Sequence, residues 1–247
     1  MPTKNELKLL HSLQQKKFRQ QHRLFMVEGT KSVMELLQSD FETTGVYATE
    51  AWQSQHPGSD IPGLQTISEK ECAYLSSWKT PPGVMACVRF QTEEAAERLL
   101  QNDRLLVLDG IQDCGNMGTI IRTADWFGIR QLICSPQTVE WQNPKCIQSS
   151  MGSFTRVMIH YRPLPAFLRQ AEKSHRIYGT FMDGEPLAQV SFPARSLFVI
   201  GSEAHGISAE VADCVNQRVT IPRKADHPVD SLNAAIATAI LCYEMTR

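Results

Sequence analysis

Three stretches in the C-terminal part of the chain place glycine beside amide, carboxylate and guanidinium groups at the ends of apolar runs. The first spans 109–128. An apolar run stops at Asp109 and Gly110, a polar loop follows, and a helical pattern then begins. Asn116 stands where loop gives way to helix, and Arg122 lies about two turns further along. The second spans 197–208, where an apolar run ends in Gly201-Ser202-Glu203-Ala204-His205-Gly206. Gly201 and Gly206 allow close backbone approach to a ligand, or a positive φ. Glu203 puts a carboxylate on the turn. The third runs from Ile221-Pro222-Arg223 to Ser231-Leu232-Asn233 and an alanine-rich helical stretch, with Ser231 as the expected N-cap. The chemistry this suits is ligand binding across the carboxyl ends of parallel strands. The second stretch is not a dinucleotide fingerprint, because it lacks a G-x-G start. Nor is it a P-loop, because no Lys-Ser or Lys-Thr follows. Taken singly, the three also fit a helix cap with a surface arginine, a plain strand–turn–helix connection, and a capped core helix.

The elements that must position these groups follow from hydrophobic patterning. Strands are expected at 105–108, 131–134, 157–160, 176–180, 196–200 and 218–221. Helices are expected at 119–127, 144–149, 164–173, 209–214 and 231–245. Short apolar strands alternating with helices predict a parallel sheet buried on both faces. Upstream, Leu7, Leu10, Leu13 and Phe18 predict an amphipathic helix over 3–20. Strands follow at 24–28, 45–48 and 84–90, helices at 31–38 and 69–76, and a loop at 52–63. The expected partition is a small α/β domain at 1–92, a polar linker at 93–103, and a catalytic domain at 104–247.

At 247 residues and 42% hydrophobic, the chain can bury one large core or two modest ones. Its seven cysteines include no C-x-x-C pair, so neither a zinc site nor a disulfide framework is signalled, and no metal is expected. Free thiols fit a reducing cytoplasm. No apolar run reaches the roughly 18 residues of a membrane span, and the polar start lacks a signal-peptide pattern. A cytoplasmic protein without membrane contact is expected. The net charge of −1 hides a basic arm: residues 1–23 hold Lys4, Lys8, Lys16, Lys17, Arg19 and Arg23 against Glu6 alone. Such an arm fits phosphate contacts and fits a solvated helix face equally well.

In order, the three stretches carry N-x-G-x-x-x-R-T-A-x-x-F-G at 116–128, G-x-E-x-x-G at 201–206, and Ile221-Pro222 followed by Ser231-Leu232-Asn233. Together they resemble the SpoU (TrmH-type) methyltransferases of the SPOUT superfamily over 104–247. The small-residue stretch at 149–153 resembles that family as well. Residues 17–19, Phe25-Met26-Val27-Glu28-Gly29 and Lys31 resemble the L30e-like substrate-binding domain that precedes many such catalytic domains. The resemblance implies an α/β chain in which a small L30e-like domain precedes a SPOUT parallel-sheet domain with a deep trefoil knot. It also implies a homodimer, S-adenosylmethionine as cofactor and RNA as substrate. The L30e-like region favours ribosomal RNA, because such domains recognise folded RNA by shape and exposed loops.

By the same resemblance, Ile200, Gly201, Gly206, Ile221 and Leu232 bind the cofactor. Asn116, Arg122, Glu203, Ser231 and Asn233 face the reacting centre, and Arg19, Arg23 and Lys31 contact RNA. The implied reaction moves a methyl group from a sulfonium to a ribose 2′-hydroxyl. The protein must align that oxygen with the methyl and help remove its proton. An arginine stays protonated, so Arg122 is expected to grip the target phosphate and stabilise the alkoxide, with the phosphate receiving the proton. Glu203 and Asn116 would order the loop around Arg122 or bind ribose. The chain departs from the family pattern at Cys114, where proline is common, and at Ala234-Ala235. Its 221–231 stretch is also longer and carries Arg223 and Lys224. The alternatives are a tRNA ribose methyltransferase, a base-modifying relative, and a catalytically silent RNA-binding module; the retained polar set argues against the last. A dehydrogenase is disfavoured by the missing dinucleotide fingerprint.

Overall fold

A computed structural model describes residues 1–92, 94–223 and 231–247. Residues 1–92 together with 140–155 form one compact unit, and the remaining described residues form another.

The first unit contains α1 (Lys4–Ser12), α2 (Lys16–His22), β1 (Leu24–Glu28), α3 (Thr30–Leu37), β2 (Thr43–Thr49), α4 (Glu50–Gln55), β3 (Leu64–Ile67), α5 (Glu69–Leu75) and β4 (Val84–Arg89). The sheet order is β1-β4-β2-β3, antiparallel except for β2 against β3. The single helix expected over 3–20 is in fact two. Arg19 of α2 donates through Nη1 to the carbonyls of Leu13 and Gln14, at 2.9 and 2.8 Å, just past the end of α1. A helix end leaves such carbonyls unpaired, and the guanidinium satisfies them at the break. The 52–63 loop also begins as helix. Thr49 caps α4 by accepting the Trp52 N–H at 3.2 Å, and the Trp52 indole donates to Thr30 at 2.8 Å.

Segment 140–155 contributes Trp141 and Phe154 to a buried aromatic cluster with Phe25 and Phe41. Its sequence neighbours lie in the other unit, and no local pattern announces a partner more than a hundred residues upstream. The expected partition therefore differs from the packing here.

The second unit contains α6 (Ala96–Leu99), β5 (Arg104–Asp109), α7 (Cys114–Trp126) and β6 (Gln131–Cys134). After α8 (Pro144–Ser150), which packs in the first unit, come β7 (Met158–Tyr161), α9 (Leu164–Ala171), β8 (Arg176–Pro186), β9 (Ser196–Gly201), α10 (Ala209–Ala212), β10 (Gln217–Thr220) and α11 (Ala234–Thr246). All six strands are parallel, in the order β10-β8-β9-β5-β6-β7. Leu105, Val107, Leu197 and Val199 are fully buried in its core, as continuous apolar strands covered on both faces should be. Leu99, from the stretch expected to be a linker, lies in the same core, so 96–99 is part of this unit.

Two caps shift helix starts. Asp113 accepts the Asn116 N–H at 2.8 Å and starts α7 at Cys114, ahead of the patterned residues. Asn233 accepts the N–H groups of Ala235 and Ile236 at 3.0 and 3.3 Å and starts α11 at Ala234. Asn233, not Ser231, is therefore the N-cap. The lengthened part of the 221–231 stretch, including Lys224, falls at 224–230, outside the described residues. Any part of the expected C-terminal knot that falls on 224–230 lies outside the described residues too.

Candidate functional site

β5 and β9 are neighbours at the centre of the parallel sheet, with Asp109 opposite Gly201. The first two motifs thus emerge side by side at one sheet end. Buried Asp109 accepts the Ser208 N–H at 2.8 Å and ties the end of β5 to the far side of the second loop. Within that loop Ser202 and Gly206 exchange backbone hydrogen bonds at 3.1 and 2.9 Å. Gly206 has φ +67° and open space where a side chain would go. A Cβ on Gly201 would instead collide with the Gly206 and Ile207 backbone. One glycine supplies the left-handed turn and the other the close approach.

Three polar side chains from three segments meet above this loop. Asn116, in the first turn of α7, donates through Nδ2 to Glu203 Oε1. Asn233 donates through Nδ2 to Asn116 Oδ1 at 2.8 Å. The Ala234 N–H donates to Glu203 Oε1 at 3.2 Å, so the carboxylate also sits at the start of α11, where the helix dipole favours negative charge. The motifs, far apart in sequence, form one hydrogen-bonded knot of side chains.

Beside it lies a cavity of about 660 Å³. Ile200, Gly201, Gly206, Ile221 and Leu232, the five expected cofactor residues, all line it, as do Glu203 and Ser231. Patterning missed the wall formed by Thr180, Phe181 and Met182. β8 runs on to Pro186, well beyond the expected end, and carries them there. The apolar pair Phe181-Met182 following the expected strand was the available signal. The volume falls in the range of small-molecule sites. Apolar walls, exposed turn backbone and a carboxylate at the edge suit a ligand that is part nucleoside and part charged amino acid. Among the described residues no cluster of His, Cys, Asp or Glu could hold a metal ion.

Arg122 does not line this cavity. It is exposed on α7, about 9 Å along the axis from Asn116, and its side chain makes no hydrogen bond or ion pair among the described residues. The three residues expected to contact RNA fare differently. Arg19 is a correction: it is 2% exposed, and its Nε and Nη2 pair with Glu140 at 3.2 and 3.0 Å. With Nη1 on two carbonyls, its guanidinium is committed to the interior. Arg23 ends α2 in the left-handed conformation, over the Phe90 ring at 5.1 Å. Lys31 is exposed in the first turn of α3, 3.9 Å from Glu35.

The SpoU rRNA Methylase family matches residues 103–243, and the MRM3-like substrate binding domain matches 4–86. Over 242 residues the chain is 27% identical to 23S rRNA (guanosine(2553)-2′-O)-methyltransferase RlmP of Bacillus subtilis, spanning 96% of this chain and 93% of that protein. Its structure is similar to a TrmH-family chain from Porphyromonas gingivalis, with TM-score 0.88, 35% identity, and 99% and 98% of the two chains covered. It is also similar to the AdoMet-bound rRNA methyltransferase of Sinorhizobium meliloti, with TM-score 0.86, 25% identity, and 99% and 96% covered.

Proposed function

We infer, since the chain belongs to the SpoU rRNA methylase family, that it transfers a methyl group from S-adenosylmethionine to a ribose 2′-hydroxyl of ribosomal RNA. The observation that carries this reading is the Glu203–Asn116–Asn233 hydrogen-bond chain at the edge of a cavity of about 660 Å³. S-adenosylmethionine held there supplies a methyl group already activated on a sulfonium. Ile200, Ile221 and Leu232 provide its apolar walls, and Gly201 and Gly206 its backbone edge.

Arg122 grips the phosphate of the target nucleotide and stabilises the alkoxide that forms as the hydroxyl loses its proton to that phosphate. Asn116, Glu203 and Asn233 are positioning residues, because their mutual hydrogen bonds fix the loop against α7 and α11. Ser231, on the cavity wall, faces the ribose. Residues 1–92 with 140–155 form the substrate-binding unit and the remaining described residues the methyltransferase unit, with Arg23 and Lys31 contacting RNA.

Two copies associate through α11, whose exposed Ile236 and Tyr243 form an apolar stripe two turns long. The site of action is the cytoplasm, which suits seven free cysteines. No described helix is long and apolar enough to cross a membrane. The test is a map of ribose methylation across total RNA in cells with and without the gene. Loss of methylation at a ribosomal RNA position is expected; an unchanged map overturns the reading.

A further inference from the structure

Trp126 is the last residue of α7, and 84% of its surface is exposed. An indole left in water is a large apolar face without a partner. Its surroundings say what kind of partner fits. Arg122 lies one turn earlier, at the neighbouring i, i+4 position roughly 5–6 Å away between Cβ atoms. It is exposed and unpaired among the described residues. Arg130, just past the helix, is also exposed, and its side chain has no partner among the described residues. The adjacent carboxylate, Asp125, is neutralised by Arg156, whose Nε and Nη2 reach Oδ2 at 2.9 and 2.7 Å. A side chain at Gly128 would meet open space, so nothing crowds the ring from that direction. The patch is therefore an uncovered aromatic face flanked in sequence by two exposed cations, with its nearest acid in sequence already paired. The exposed stripe of α11 is different: it is apolar, and that helix carries no basic residue from Ala234 to Thr246. An apolar stripe suits a protein surface. An aromatic interleaved with arginines suits single-stranded nucleic acid, whose bases stack while its phosphates take the cations.

We propose that Trp126 is a stacking platform for a nucleobase of single-stranded RNA, with Arg122 and Arg130 holding the phosphates on either side. The inference rests on the methyltransferase reading above and adds a site to it. Order along α7 says which nucleotide is involved. Asn116 is at the cavity end, Arg122 follows, and Trp126 lies beyond, so the base on Trp126 belongs to a nucleotide flanking the target. The platform selects unpaired RNA, because a base inside a duplex has no free face to offer.

The test compares Trp126→Ala and Trp126→Phe with the unmodified protein. Three quantities are read: affinity for a mixed-sequence single-stranded RNA oligonucleotide, affinity for S-adenosylmethionine, and sedimentation. Trp126→Ala should weaken RNA binding about tenfold or more. Trp126→Phe should stay within about threefold of the unmodified protein, since it keeps a stacking face. Cofactor affinity and sedimentation should not change in either. Unchanged RNA affinity in Trp126→Ala overturns the proposal while leaving the methyltransferase reading intact. A smaller sedimenting species also overturns it, and assigns the indole to contact between copies of the chain. An unmodified protein that binds no S-adenosylmethionine overturns both readings.

Discussion

The two units deploy their polar side chains in opposite ways. In the first, Arg19, Glu28 and Tyr47 are consumed internally. Arg19 is buried against Glu140. Glu28 accepts from the Ser77 N–H and both the Ser76 and Ser77 hydroxyls. Tyr47 donates to Glu6 at 2.7 Å. In the second, the polar groups stand at strand ends around a cavity. Asn116, Glu203 and Asn233 bond to one another while staying at the surface, and Arg122 is left without a partner. A basic residue in a motif-like setting is therefore no guide to RNA contact until its partners are known. The most conspicuous part of the chain's charge pattern, the N-terminal arm, includes an arginine that serves the fold. The arginine assigned to chemistry lies in a segment of ordinary charge.

Breaking the comparison on its buried side should give the largest effect. Arg19→Ala strands Glu140 in the interior and should lower unfolding stability by about 3–5 kcal/mol, measured by urea denaturation. Replacing both partners with apolar residues of similar volume should recover most of that loss. A small loss for the single variant would mean the pair is not holding the first unit together. On the exposed side, Arg122→Ala should leave folding and S-adenosylmethionine affinity unchanged and lower turnover about 10²–10³-fold, read by single-turnover methyl transfer.

Glu203→Ala removes the carboxylate acceptor of two charge-assisted hydrogen bonds, one of them at a helix start. It should weaken cofactor binding or turnover about tenfold or more, seen by calorimetry alongside kinetics. Tyr47 sharpens the contrast through pH. Burial first, then the bond to Glu6, hold its hydroxyl well above the ordinary value of 10.0. The unfolded chain then ionises before the folded one. Its contribution is complete below pH 10 and falls as pH rises above that. Tyr47→Phe should flatten the alkaline arm of the stability–pH curve. The smallest effect belongs to Lys31→Ala. Its pair with Glu35 is exposed and contributes little to stability, so a melting curve should not move, while RNA affinity should drop about twofold to tenfold and depend less on salt.

Much of the second unit was legible. All six strands were marked by apolar runs, and the residues at the ends of β9 and β10 line one cavity. Glycine punctuation and motif order are local signals, and they survived folding. What was hidden depended on distance. Trp141 and Phe154 pack with Phe25 and Phe41 because of chain topology, which no local period encodes. The burial of Arg19 follows from a carboxylate 121 positions away. Phe181 and Met182 reach the cavity only because β8 outruns its hydrophobic pattern. Caps misled by a few residues. Ser231 and Asn233 are both good N-cap types, and the choice between them is made by backbone geometry.

Alkaline hydrolysis tests methyl transfer to ribose most directly. Purified protein, methyl-labelled S-adenosylmethionine and ribosomal RNA from cells lacking the gene are incubated together, and the RNA is then hydrolysed. A methylated 2′-oxygen cannot attack its neighbouring phosphate, so that linkage resists alkali. Label is expected in alkali-resistant dinucleotides, and at the same incubation time roughly a hundredth of it or less when Arg122→Ala replaces the unmodified protein. Label in ordinary mononucleotides would show base methylation and contradict transfer to ribose.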